Sequence, residues 1–338
     1  MSSLSAAGSM SAPSSVERHQ VWWYLGAVML GLAVGLLAPG VGPFVEVLVW
    51  PVLAVLLLVV FFLTPWSQLP GVLARPRFLL AALAGNAVVM PLIAVALVHL
   101  GPEDPVLRFG LLLVLVAPCT DWFMTFTHVS GGDTAAASAL IPVNLMAQLV
   151  LIPVYLWLFA PEIPGSGEAN PATGVLAGAA VLILGSMLLG ATVAWCAQRR
   201  PALARVRARA EVAPVPLLAV VLFLVAASQA WIVLDAAGSL PGIAAVALGY
   251  LVLAVLVAWV LARLTRVPRE QGITLTMTLA TRNSFVVLPV ALALPAGAEV
   301  AAVAVVFQSL VELLGILVLL WVLPRWVFPR RVSSTASA

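Results

Sequence analysis

Apolar runs of about twenty residues follow one another from Val21 almost to the C-terminus, and they limit what this chain can become more than any other feature. A bilayer core is crossed by a helix of roughly 20 mostly apolar residues. Lipid tolerates only structures that satisfy their own backbone, which means helices or closed barrels. Barrels read as short alternating segments, whereas these runs are long and unbroken by charge. Helices therefore follow. Composition agrees: 9% of the 338 residues are charged, 63% are hydrophobic and the mean hydropathy is +1.16. A soluble chain of this size needs far more charge to cover its surface.

The runs predict ten spans, at 21–39, 42–63, 78–100, 106–129, 134–159, 172–197, 212–235, 239–263, 271–295 and 298–323. Residues 1–20 are Ser/Ala-rich and read as a disordered tail. The run from Val21 is long for a signal-peptide core and reads as a retained span. With the N-terminus inside, the inner loops are 64–77, 130–133, 198–211 and 264–270, plus both tails. These regions and their span ends hold fourteen of the sixteen Arg residues, and there is no Lys. Only Arg108 and Arg282 break the segregation. Glu103, Asp104, Glu162, Glu168, Asp235 and Glu299 lie on the other side. The positive-inside rule then predicts a multi-pass inner-membrane protein with both termini cytoplasmic. The pI of 9.4 is a topology signal and no sign of nucleic-acid binding. The expected organisation is a cytoplasmic tail (1–20), a first five-helix unit (21–159), a second (172–323) and a cytoplasmic tail (324–338).

Strongly polar residues are rare inside the spans, so their spacing is informative. Asn86, Cys119, Asn144 and Gln148 map onto Tyr250, Asn283, Gln308 and Glu312 by adding 164 to each number. The fifth and tenth spans each carry a polar pair at i and i+4, which share one helical face. Five spans per half is odd, so the halves would lie in opposite orientations, as in transporters built from inverted repeats. The plainer reading is that such residues glue helices together. The fourth and ninth spans are both irregular. Ala117-Pro118 interrupts the fourth, because proline lacks a donor and clashes with the preceding turn. Thr281-Arg282-Asn283-Ser284 interrupts the ninth. Broken helices expose backbone donors and carbonyls that hold ions or substrates.

Asp121, Arg282 and Glu312 are the ionisable residues placed deep within spans. Charge in lipid is costly, so these face the interior and are functional candidates. They form a substrate or proton site, or else a structural ion pair of Arg282 with Asp121 or Glu312. Cys119 offers a soft thiolate ligand, or simply a small residue for a tight crossing. Thr120 and Ser284 supply further polar groups beside the two interruptions. Cys196 lies apart from Cys119, so no disulfide framework is expected. No cluster of metal-ligand spacing, phosphate-binding loop or catalytic triad is present. An enzyme, a cofactor and a nucleotide-driven pump are therefore not expected.

The stretch APCTDWFMTFTHVSGGD, followed by PVNLMAQLVLIPVY, resembles the bile acid:sodium symporter superfamily. It is most similar to the arsenite-efflux permease (arsenical resistance) branch. Cys119, Gly132-Asp133 and Asn144 fall in that branch's order, and Arg282-Asn283-Ser284-Phe285 and Leu310-Val311-Glu312 look like its later motifs. The resemblance implies an all-α membrane protein of ten transmembrane helices. These form two inverted five-helix repeats with broken, crossing fourth and ninth helices, and a panel domain rocks against a core domain. By analogy Cys119 engages trivalent arsenic as cargo. Two departures stand out: Val286 and Thr278 occupy positions where the arsenite and sodium branches carry a Glu. Asp121 or Glu312 is then left to serve as the coupling carboxylate.

The expected function is secondary active transport in the lipid bilayer: proton-coupled export of arsenite or antimonite by alternating access. Its expected substrate-binding residues are Cys119, Asn144, Asn283 and Arg282. Gln148, Gln308, Asn86, Thr120 and Ser284 support them. The alternative is a sodium- or proton-coupled symporter of an organic anion, with Arg282 as counter-charge.

Overall fold

The structure is a computed structural model that describes residues 19–120, 122–159, 171–294 and 298–329. Of the two expected tails, residues 1–18 and 330–338 lie outside the described residues, and residues 324–327 belong to a π-helix, Leu323–Val327. Those residues form helices and no strand. Seven helical stretches among them are long and apolar enough to cross a bilayer. The chain is an all-α, multi-pass membrane protein.

The helices are α1 (Gln20–Leu37), α2 (Gly42–Leu63), α3 (Pro76–Ala84), α4 (Met90–His99), α5 (Pro105–Leu115), α6 (Trp122–Val129), α7 (Thr134–Phe159) and α8 (Pro171–Ala197). They continue with α9 (Pro201–Ala210), α10 (Pro214–Ser228), α11 (Ala230–Asp235), α12 (Leu240–Thr265), α13 (Arg269–Ala280), α14 (Ser284–Leu292) and α15 (Val300–Val322). Proline opens many of them at the first or second position, where a missing N–H costs nothing. A wide π-turn at Gly85–Val89 joins α3 to α4. Residues 198–211, read from sequence as a loop, contain the Arg-rich helix α9, bent 51° from α10.

Two sets of helices form. In the first, α1 and α2 pack against α10, and α2 packs against α8. Backbones come very close there: a Cβ on Gly31 would lie 2.4 Å from the Phe223 carbonyl, and one on Gly35 would lie 2.3 Å from the Ala227 carbonyl. Glycines four apart on one helix face allow such an approach. The second set joins α5 to α15, and α12 to α13 and α15. Here a Cβ on Gly110 would meet the Ala301 carbonyl at 2.5 Å. Buried Tyr250, Thr278, Gln308 and Glu312 lie on this second set. The outer surface is lipid-like: Trp22, Trp23, Trp195, Trp231, Trp321 and Trp326 are all exposed near helix ends, where an interfacial aromatic belt belongs.

Candidate substrate and coupling site at the helix crossing

The predicted fourth and ninth spans are each two short helices, and their interruptions meet. Helix α5 stops at Leu115 and α6 starts at Trp122, while α13 stops at Ala280 and α14 starts at Ser284. Pro118 and Arg282 pair there as antiparallel backbone neighbours. The Cys119 amide donates to the Thr281 carbonyl at 3.3 Å, and the Asn283 amide donates to the Ala117 carbonyl at 2.9 Å. The two bonds exchange places under the 164-residue offset, since 119 maps to 283 and 117 to 281. Proline explains the first interruption locally. The second has a tertiary cause, because the amides of Arg282 and Asn283 leave the helix for partners elsewhere. Asn283 also caps α14, its Oδ1 accepting from the Val286 amide at 3.3 Å.

Side chains from α7 and α15 close around this crossing. The Asn144 amide donates to the Cys119 carbonyl at 2.9 Å and to Thr278 Oγ1 at 3.0 Å. Gln148 donates to the Pro118 carbonyl at 2.6 Å and accepts from Asn283 Nδ2 at 3.0 Å. Asn283 Nδ2 also donates to Thr120 Oγ1 at 2.9 Å. From α15, both carboxylate oxygens of Glu312 accept from the Arg282 backbone amide, at 3.0 and 3.1 Å. Gln308 Nε2 donates to Glu312 at 2.9 Å. The hydroxyls of Ser284 and Ser309 lie 2.5 Å apart. Tyr250 donates to the Leu115 carbonyl at 3.1 Å. Every one of these side chains is buried, so the network satisfies polar groups that lipid would leave unpaired.

Arg282 is the largest of the fully buried side chains, with 0% exposure. Its Nη2 donates to Asn86 Oδ1 at 3.1 Å, to the Thr278 carbonyl at 3.3 Å and to the Leu279 carbonyl. The guanidinium carbon lies 5.1 Å from the centre of the Tyr250 ring, a cation–π distance. Nε and Nη1 have no hydrogen-bond partner. The ion pair expected from sequence does not form with Glu312. That carboxylate takes the backbone amide of Arg282, and the guanidinium has no carboxylate within 4.0 Å among the described residues. Asp121, the other expected partner and coupling candidate, lies outside the described residues.

The structure thus brings Cys119, Asn144, Arg282, Asn283 and Glu312 together, with Asn86, Thr120, Gln148, Ser284 and Gln308 around them. Two members were given no site role from sequence, although Thr278 stood out there as a departure from the resembled motif. Thr278 accepts from both Asn86 (3.2 Å) and Asn144, and Ser309 meets Ser284. Thr278 lies three residues before the second interruption, and Ser309 follows Gln308 on α15. Gly132-Asp133 is structural: Gly131 adopts φ +75°, and Asp133 caps α7 by accepting from the Ala136 amide at 2.9 Å. His128 is exposed, and no group of three His, Cys, Asp or Glu capable of holding a metal ion exists among the described residues.

Residues 50–234, more than half of the 338, match the family model described as the sodium bile acid symporter family. The chain belongs to that family. No curated protein matches it. Members of the sodium bile acid symporter family are transporters and not enzymes, so the buried crossing belongs to a membrane transporter. The matched segment carries Cys119, Asn144 and Gln148. Arg282, Asn283 and Glu312 lie beyond it and join the site through the fold.

Proposed function

We propose that the chain is a secondary active transporter that moves a small anion by alternating access at the crossing of its two interrupted helices. One observation carries this reading: the reciprocal backbone pair, Cys119 to Thr281 and Asn283 to Ala117. Such an exchange under a constant offset is what two inverted five-helix repeats produce, and their interface is where transporters of this architecture bind cargo. Ten spans follow if the two interrupted pairs, and α10 together with α11, each count as one crossing beside the seven long helical stretches. The Arg distribution supports cytoplasmic termini in an inner membrane. The open Nε and Nη1 of Arg282 are the groups that would meet the negative charge of an organic anion. Glu312, buried on α15 at the crossing, is the coupling carboxylate, and a proton is the coupling ion.

A second reading keeps the cargo as arsenite or antimonite. It is favoured by Cys119, which sits on the crossing with its carbonyl held by Asn144. A thiolate there would engage trivalent arsenic. The experiment that separates the two is uptake into everted vesicles, with and without a proton gradient. Arsenite and a bile-acid-class carboxylate are the two cargoes. Wild type is compared with Cys119→Ser and Arg282→Gln. The anion reading expects carboxylate flux lost in Arg282→Gln and kept in Cys119→Ser. The metalloid reading expects arsenite flux lost in Cys119→Ser. Wild-type flux of neither cargo sinks both assignments.

A further inference from the structure

Helix α13 ends in the protein interior, where its last carbonyls have no water to bond. In a continued helix the amides of Arg282 and Asn283 would bond the carbonyls of Thr278 and Leu279. Those amides go instead to Glu312 and Ala117. The two carbonyls lie at the negative end of the helix dipole. Asn86, on the wide turn at Gly85–Val89, turns its Oδ1 toward the same point. Three neutral oxygens therefore converge on a single atom, Nη2 of Arg282.

Oxygens alone, converging on a positive centre at a half-helix C-terminus, are the coordination that broken-helix transporters offer to a coupling cation. We infer that this cradle is a monovalent-cation site filled by the chain's own cation, so that the Arg282 guanidinium stands where a sodium ion would bind. Arginine holds its charge at any physiological pH. Being covalently attached, it cannot exchange with solution. The site then supplies a fixed positive charge to the crossing without drawing on a sodium gradient. Its unpartnered Nε and Nη1 fit this role: only the edge in the cradle is spent on the protein.

The test reads stability and is independent of which cargo is carried. Full-length protein in lipid nanodiscs is unfolded thermally in sodium chloride and in choline chloride at equal ionic strength. Wild type is expected to melt at the same temperature in both. Arg282→Ser empties the cradle and is expected to melt lower in choline, then to gain at least about 2 °C from sodium. Arg282→Lys keeps a tethered cation and is expected to ignore sodium. Adding Asn86→Ala to Arg282→Ser removes one oxygen and is expected to shrink the sodium gain. Recovery of folded Arg282→Ser only in sodium supports the inference equally. A sodium-specific gain in wild type overturns it, as does an Arg282→Ser protein that gains nothing from sodium, whether folded or not.

Discussion

Gln148 and Glu312 grip the crossing at equivalent points and with opposite polarity. Gln148 donates to the carbonyl of Pro118, and Glu312 accepts from the amide of Arg282. The same 164-residue offset relates Gln148 to Glu312 and Pro118 to Arg282. The polarity follows from the backbone. Proline has no N–H, so its partner must donate. The Arg282 amide, freed from its helix, needs an acceptor.

That polarity predicts unequal costs for two isosteric exchanges. Gln148→Glu puts an acceptor-only carboxylate oxygen against the Pro118 carbonyl and leaves a buried charge with Asn283 Nδ2 in place of a full set of donors. Glu312→Gln keeps one oxygen for the Arg282 amide. Thermal unfolding in nanodiscs should show Gln148→Glu losing about 2 kcal/mol or more and Glu312→Gln about 1 kcal/mol. Glu312→Gln should nevertheless lose the response of flux to a proton gradient. Equal stability losses in the two variants speak against the assigned bonds.

Thr278 accepts hydrogen bonds from two buried amides at once. Thr278→Val keeps the shape and removes the acceptor, stranding Asn86 Nδ2 and weakening the hold on Asn144. The expected cost is about 1–3 kcal/mol, and Thr278→Ser should recover most of it. Unfolding curves of the two variants against wild type decide the matter.

Gly35 faces the Ala227 carbonyl across α1 and α10 with no room for a methyl group. Gly35→Ala should therefore cost about 1–3 kcal/mol by overpacking. Gly26, on the same helix with open space around it, should accept Ala with no loss. A melting comparison of these two variants separates close packing from a general effect on helix α1.

Gln148 Oε1 and Asn283 Nδ2 join α7 to the start of α14. A double-mutant cycle of Gln148→Ala and Asn283→Ala should return a coupling energy of about 0.5–2 kcal/mol. A coupling near zero removes that bond from the account.

Much of this was legible in the sequence, for identifiable reasons. Residues 42–63 and 134–159 formed helices at the expected bounds, because an apolar run in lipid has little choice. Pro118 announced the first interruption through its missing donor. The rare buried polar residues announced the hydrogen-bonded network at the crossing, since lipid leaves each one needing a partner. The role of Arg282 was hidden. Its sequence neighbourhood suggested an ion pair, but its guanidinium caps the helix that its own backbone amide abandons. Nothing in residues 278–284 shows that the amide finds Glu312, 30 positions later. Helix α9 was read as a loop because Arg205, Arg207 and Arg209 looked like a topology signal alone, although Pro201 marks a helix start.

The close approach of α1 to α10 bears on how the protein is made. Gly31 meets Phe223, and Gly110 meets Ala301, each about 190 residues later in the chain. The helices that leave the ribosome early must wait in the bilayer as independent spans while their partners are still being translated. Insertion and assembly are therefore separate stages for this protein. A truncated chain ending before α10 would keep α1 in the membrane with its glycine-lined face exposed to lipid.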